Sequence, residues 1–248
     1  MAANDKVPGV LNEAGAVRKA AWENRKAARA AHRDAVLVAA GAGMETADIV
    51  RLASRVALPG GRIGQPVSRT AVYTLLEQYG HEGKQHWEKA GRPDLEQAEG
   101  KLLRTGPAML AADEEYERRR DRLVDIMWQA RGQGHGPASV VAASGMSERL
   151  GYDYLDLQAP FERVKQALGP MLEFKDGYDD MPHVALAHRA KTIVVCNEGE
   201  IEQRTGEIRY DRTEDEMVER LRAAGFATKK ASNGHFVSVI ALTGTEDA

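Results

Sequence analysis

The run Pro66-Val67-Ser68-Arg69-Thr70-Ala71-Val72-Tyr73-Thr74-Leu75-Leu76 decides how this chain is read. Val72, Leu75 and Leu76 recur at helical spacing and form one apolar stripe. Ser68 stands where its hydroxyl can accept a hydrogen bond from an orphan N–H of the first turn. Arg69, Thr70, Tyr73 and Thr74 fall off the stripe. They are one cation and three hydroxyls, groups that reach phosphates and base edges in a major groove. The spacing predicts a short helix seated by one face and offering the other.

Two helices are expected ahead of it. Residues 13 to 40 are Ala-rich, without internal proline, and Gly41-Ala42-Gly43 stops them. Thr46 then caps a second helix with Ile49, Val50, Leu52, Ala53 and Val56 on its inner face, broken by Leu58-Pro59-Gly60-Gly61. Three helices in this order, ending in the Val-Ser-Arg-Thr-x-Val-Tyr-x-Leu-Leu wording, resemble a helix-turn-helix DNA-binding unit. The resemblance implies that the 68–77 helix enters a major groove, with contacts from Ser68, Arg69, Thr70, Tyr73 and Thr74. The connection before that helix is about nine residues, against the usual three or four, which leaves the interhelical angle open. Arg62 lies in it, within reach of backbone phosphate.

The chain has 248 residues, enough for one large domain or two to three small ones, and its hydrophobic fraction of 43% supports real cores. The formal net charge of −3 means that any affinity for nucleic acid must come from local asymmetry. Arg18, Lys19, Arg25, Lys26, Arg29 and Arg33 meet only Glu23 between positions 17 and 33, while acids gather around Asp113–Glu117 and Glu198–Glu216. Arg29 and Arg33, close in sequence to the Ser68 helix, are therefore candidate phosphate contacts. Cys196 is the sole cysteine, which excludes an intrachain disulfide and a multi-cysteine zinc site and fits a reducing cytoplasm. No run is long and apolar enough to span a bilayer, and the first residues lack the order of a signal peptide.

A second version of the plan follows a polar joint at 81–112, punctuated by Gly91-Arg92-Pro93 and Gly106-Pro107. Asp113-Glu114-Glu115 suits an acidic helix start, and Leu123, Ile126, Met127 and Ala130 share one face of the helix to Arg131. Pro137 suits the first turn of the next helix. Val141-Ala142-Ala143-Ser144-Gly145-Met146-Ser147, followed by Tyr152-Asp153-Tyr154-Leu155, also resembles a helix-turn-helix, with Ser147 and Arg149 as its candidate contacts. Gly151 occupies a place where an apolar core residue is expected. Two such units would let a monomer span neighbouring groove segments.

After a helix at Pro160–Leu168 the chain turns to strands. Lys191–Cys196 is β-branched, and Ile208–Tyr210 is expected to return against it. Thr213-Glu214-Asp215-Glu216 is a capping box opening a helix that Gly225 closes. Phe226–Lys230 and His235–Leu242 flank Ser232-Asn233-Gly234, a tight-hairpin signal. Leu221 to Phe226 and Asn233-Gly234-His235-Phe236-Val237 resemble part of HicA-type RNA-cleaving toxins, which implies a catalytic histidine at His235. The chain leaves no room for the further helix of that family, so the histidine is read as structural. His81 with His86, and His183 with His188, are five apart and lack the Glu of a His-Glu-x-x-His metal helix, and the second pair falls on opposite faces of a regular strand.

The expected architecture is mainly α with a C-terminal α+β module: a basic helix and first helix-turn-helix at 1–80, a joint at 81–112, a second helix-turn-helix-like unit at 113–170, and a helix plus β-hairpin module at 171–248. The expected function is sequence-specific binding of double-stranded DNA in transcription regulation, without catalysis, metal or cofactor, in the cytoplasm. The Ala- and Arg-rich usage resembles that of actinobacterial and phage proteins. The alternatives are a phage accessory factor, such as a recombination directionality factor docking on a serine integrase, and a HicA-like ribonuclease acting through His235. The expected partners are DNA and, in the docking alternative, a protein such as a recombinase or polymerase.

Overall fold

The computed structural model describes residues 7–57, 63–78, 94–169, 183–187, 192–196, 200–201, 208–209, 214–230 and 236–240. The chain is mainly helical and divides into two compact units, Glu13–Arg122 and Leu123–Ala248 together with Met1–Asn12. Among the described residues no helix is long and apolar enough to cross a membrane.

The unit Glu13–Arg122 contains most of helix α1 (Val7–Gly41), α2 (Thr46–Ser54), the short strands β1 (Val56–Ala57) and β2 (Ile63–Gly64), α3 (69–78) and the first part of α4 (Leu95–Gly132). Its core is a layer of small and branched side chains: Ala35, Val36 and Ala39 from α1, Ile49, Val50 and Ala53 from α2, Val72 from α3 and Leu102 from α4. Buried His32 adds a polar tie among three helices. Its Nε2 donates to the Ala53 carbonyl at 3.2 Å, and its Nδ1 lies 3.0 Å from the Thr105 hydroxyl.

Several expectations are corrected here. Val56 is in a strand, and α2 ends at Ser54; β1 and β2 pair antiparallel, Val56 opposite Gly64 and Ala57 opposite Ile63. The long connection between α2 and α3 thus contains a β-pair rather than a helix-turn-helix turn. Thr46 is the first helical residue and Glu45 is the N-cap, with no side-chain cap bond. Gly106 and Pro107 lie inside α4, which begins within the expected joint and runs on unbroken. Pro107 has no N–H to offer the Leu103 carbonyl four residues back, and Leu103 is exposed. Gly106 is needed for another reason: a Cβ there would fall 2.7 Å from Cγ2 of Val56, so β1 lies against the α4 backbone. Asp94 caps α4 by accepting from the Gln97 N–H at 2.9 Å.

The unit Leu123–Ala248 begins with the end of α4, where Leu123, Met127 and Ala130 are buried and Ile126 is half-buried. Helices α5 (Pro137–Ser144), α6 (Glu148–Asp156) and α7 (Gln158–Leu168) follow. Pro137 opens α5 as expected, and Gly145 closes it at φ 63°, a left-handed conformation that glycine adopts without a Cβ penalty. The indole N–H of Trp128 donates to the Tyr154 carbonyl at 2.9 Å, and its ring packs on Phe161 with centroids 5.0 Å apart.

Beyond α7, β3 (His183–Ala187), β4 (Thr192–Cys196), β7 (Ala227–Lys230) and β8 (Phe236–Ile240) make an antiparallel sheet in the order β3-β4-β8-β7. The strand β6 (Ile208–Arg209) pairs with β5 (Glu200–Ile201), not with β4 as expected. β4 already has β3 and β8 on its two edges, a central place that its β-branched run suits. Helix α8 (Glu214–Ala223) buries Met217, Val218 and Leu221, and Gly225 at φ 82° turns the chain into β7.

Gly151 is a close-approach residue, not a missing core side chain. A Cβ there would lie 2.6 Å and 2.9 Å from the two γ-methyls of Val141, so α5 and α6 meet at that point. We therefore expect Gly151→Ala to destabilise the protein. Overpacking costs about 1–3 kcal/mol, against about 1 kcal/mol gained from alanine's helix propensity. In a Val141→Ala background the same change should become neutral or stabilising. Urea titrations of the two single variants and the double variant measure this, and purely additive effects would remove the steric account.

Candidate nucleic-acid interface

Helix α3 starts as its sequence requires. The Ala71 N–H donates to the Ser68 hydroxyl at 3.1 Å and the Val72 N–H to the Ser68 carbonyl at 3.2 Å. Val72 is 1% exposed, and Leu75 and Leu76 are half-buried against the core. Arg69, Thr70, Tyr73 and Thr74 are all exposed, Tyr73 at 46%.

These four residues do not share one edge. At about 100° per residue, Thr70 and Thr74 lie one turn apart on one flank, and Arg69 and Tyr73 on the other. The flank bearing Thr70 and Thr74 faces α1 across a groove of about 660 Å³, lined also by Ser68, Arg29 and Arg33. Five of the sequence-predicted contacts thus come together. Arg69 and Tyr73 lie about 100° further round the same exposed face, away from the groove. Arg62 lies outside the described residues. Ser147 and Arg149 are exposed at the start of α6, in the other compact unit; Ser147 is at the N-cap position, though it makes no side-chain cap bond there.

The charge on α1 needs correction. Arg29 grips Asp113 with two parallel bonds, Nε to Oδ1 at 3.0 Å and Nη2 to Oδ2 at 2.9 Å. Arg25 donates to the same carboxylate at 2.7 Å and approaches Glu117 at 3.3 Å. Its guanidinium lies 4.7 Å from the Tyr116 ring centroid and 5.7 Å from that of Trp22. Two residues of the basic run, Arg25 and Arg29, are therefore engaged in an α1–α4 contact, and Asp113 sits in mid-helix as their partner, not at a helix start. Burial pushes the Glu117 carboxyl up from its ordinary range, against the pull of Arg120 and Arg25. Lys101 and Asp34 add a further cross-helix pair.

Sequence reasoning passed over His32 and misread Asp113. A signal for Asp113 was present: Arg25 and Arg29 are four apart on one helix, and Asp113 and Glu117 are four apart on another, so each pair occupies one face. Nothing in the spacing of the histidines marks His32. Among the described residues no group of three or more His, Cys, Asp or Glu side chains is arranged to hold a metal ion. His235, the one residue of the RNA-cleavage resemblance with a catalytic role, lies outside the described residues. Phe226, from the other segment of that resemblance, is buried, with the Arg163 guanidinium 4.9 Å from its ring centroid while Arg163 donates to the Ala224 carbonyl.

No family model, no characterised protein and no solved structure matches the chain.

Burial lowers the pKa of His32, and its hydrogen bond to Ala53 opposes the shift only in part. The native state then binds fewer protons than the unfolded chain below the ordinary histidine value of about 6.5. The His32 contribution to stability is fully present above that pH and declines as pH falls from there toward the lowered value. Urea midpoints at a series of pH values between about 7.5 and 5 should fall, and His32→Gln should flatten the slope in this window. An equal slope in the variant would assign the acid sensitivity to other groups.

Proposed function

We propose that the protein binds double-stranded DNA through α3 and acts as a transcriptional regulator without catalysis of its own. The observation that carries this reading is the two-sided character of α3: one face fastened to the core by Val72, the other presenting Arg69, Thr70, Tyr73 and Thr74 to solvent. An exposed phenol, two hydroxyls and a guanidinium on one short helix suit base edges and phosphates. Ser68 leaves its helix start well formed beside Arg33, and helix N-termini favour anions. On this reading β1 and β2 replace the usual turn, so the angle between α2 and α3 is set by the strand pair. The three-residue turn between α5 and α6 supports a second helix-turn-helix-like unit, in which Arg149 supplies a positive contact. The sheet with α8 is read as a C-terminal α+β module that serves as a docking element.

One observation favours a second reading. Arg25 and Arg29 are engaged by Asp113, which reduces the charge offered to phosphates, and the chain is net acidic. A factor that acts mainly by docking on a DNA-bound protein, such as a recombinase, fits that charge balance.

Selection of a preferred duplex from a random pool, followed by fluorescence anisotropy, separates the two. For the DNA reading, Arg69→Ala should weaken binding by about 1–3 kcal/mol and lower the salt slope. Arg149→Ala should have a comparable effect only where the second unit also touches the duplex. No selected sequence and no salt-dependent affinity would sink the DNA reading, and co-purification of a DNA-bound partner would then support the docking one.

A further inference from the structure

Helix α6 is held at three points. Ser144, fully buried, donates its hydroxyl to the Val141 carbonyl at 2.7 Å and accepts from the Met146 N–H at 3.2 Å, which ties down the turn after α5. The Trp128 indole N–H on the Tyr154 carbonyl holds the far end, and the close approach of Gly151 to Val141 fixes the middle. The face that α6 turns to solvent carries Glu148, Arg149 and Tyr152, all exposed, Tyr152 at 38%. The helical repeat puts these three within one sector of about 100°, with Tyr152 between the two charges. Among the described residues neither Glu148 nor Arg149 has an ion-pair partner, in contrast to Arg25 and Arg29 on α1. Asp153, the next acid of the helix, is engaged.

An unpaired carboxylate at the start of a helix that enters a groove is repelled by phosphates and needs a donor to meet it. The N4 amino group of cytosine is such a donor. Adenine sets a bare N7 acceptor beside its amino group, while guanine and thymine turn acceptors toward the groove. We infer that Glu148 is a specificity-determining residue, accepting from the N4 amino group of a cytosine while Arg149 donates to O6 and N7 of a guanine in the neighbouring base pair, so that α6 selects a step of two G·C pairs. Glu148 thereby acts mainly against wrong sequences, where its charge faces acceptors. Tyr152 adds a hydroxyl between the two that can donate or accept. The assignment rests on the proposed reading in which the second unit touches the duplex, and the test separates the failure of one from the failure of the other.

The experiment is selection of duplexes from a random pool by the full chain and by its Glu148→Gln variant, followed by fluorescence anisotropy on the selected site. Selection by the parent should enrich a site containing the G·C step. Changing its cytosine to thymine, which puts an acceptor where the amino group was, should weaken parent binding about tenfold. In Glu148→Gln, whose amide donates as well as accepts, the same change should cost at most about twofold. Glu148→Ala should bind unselected duplexes about threefold more tightly, because a charge of the phosphates' own sign is gone. Arg69→Ala should weaken binding without altering the preference at this step. Glu148 is exposed, so both variants should melt near the parent, and circular dichroism checks that they are folded. An enriched site that lacks the step, or a folded Glu148→Gln variant with the parent's preference for cytosine, overturns the assignment and leaves the DNA reading intact. No enrichment by the parent overturns both.

Discussion

The placement of α3 depends on how closely α1 and α2 approach each other. Ala35, Ala39 and Ala53 are fully buried at that contact, and side chains of this size let two helix backbones come near. His32 closes the same contact from the side, since its Nε2 reaches the backbone carbonyl of Ala53. Val72 rests on the platform that results. Burial of one valine is worth about 1.5–3 kcal/mol, whereas ordering a single residue's backbone costs about 1–2 kcal/mol. Val72 alone therefore cannot hold a helix as long as α3. Its seat also needs the Ser68 cap, the partial burial of Leu75 and Leu76, and the hydrogen bonds within the helix.

Much of this was legible from local signals. The stripe of Val72, Leu75 and Leu76, the cap at Ser68, the stop at Gly41-Ala42-Gly43 and the Ser144-Gly145-Met146 turn follow from spacing and from what each residue type does to the backbone nearby. The errors are of a different kind. β1 and β2 are two residues each, too short to show a period, and they exist because Gly64 and Val56 find each other beside a glycine on α4. Gly106-Pro107 has the wording of a break, yet the helix runs through it, with Leu103 exposed and Gly106 packed against Val56. Gly151 looked like a defect and is instead demanded by a neighbour ten positions earlier. Each depends on a partner that local pattern does not name.

The candidate site was legible in the same uneven way. Thr70, Thr74, Arg29 and Arg33 converge as the sequence suggested, since one short helix packs beside the end of one long one. The state of their charge was not legible. Asp113 is 84 positions from Arg29, and only the α1–α4 packing brings the two together. The outer edge of the exposed face, with Arg69 and Tyr73, had to be separated from the groove by the helical phase of α3, which the sequence contained but which a reading of hydroxyl content alone overlooks.

The Arg29–Asp113 pair changes the nature of the site without emptying it of positive charge. A half-exposed bidentate pair contributes modestly to stability, but it converts a mobile cation into a fixed dipole whose guanidinium end borders the groove. Arg33, itself engaged in a further interaction, lines the same groove. At physiological salt, interactions between exposed charges fade over about 8 Å, so Asp113, in direct contact with Arg29, offsets charge at the groove more than the acids elsewhere in the chain. In a chain of formal charge −3, two engaged arginines and an exposed, hydroxyl-bearing helix thus border one groove. Local pairing, not overall composition, decides how much of that charge is offered to solvent.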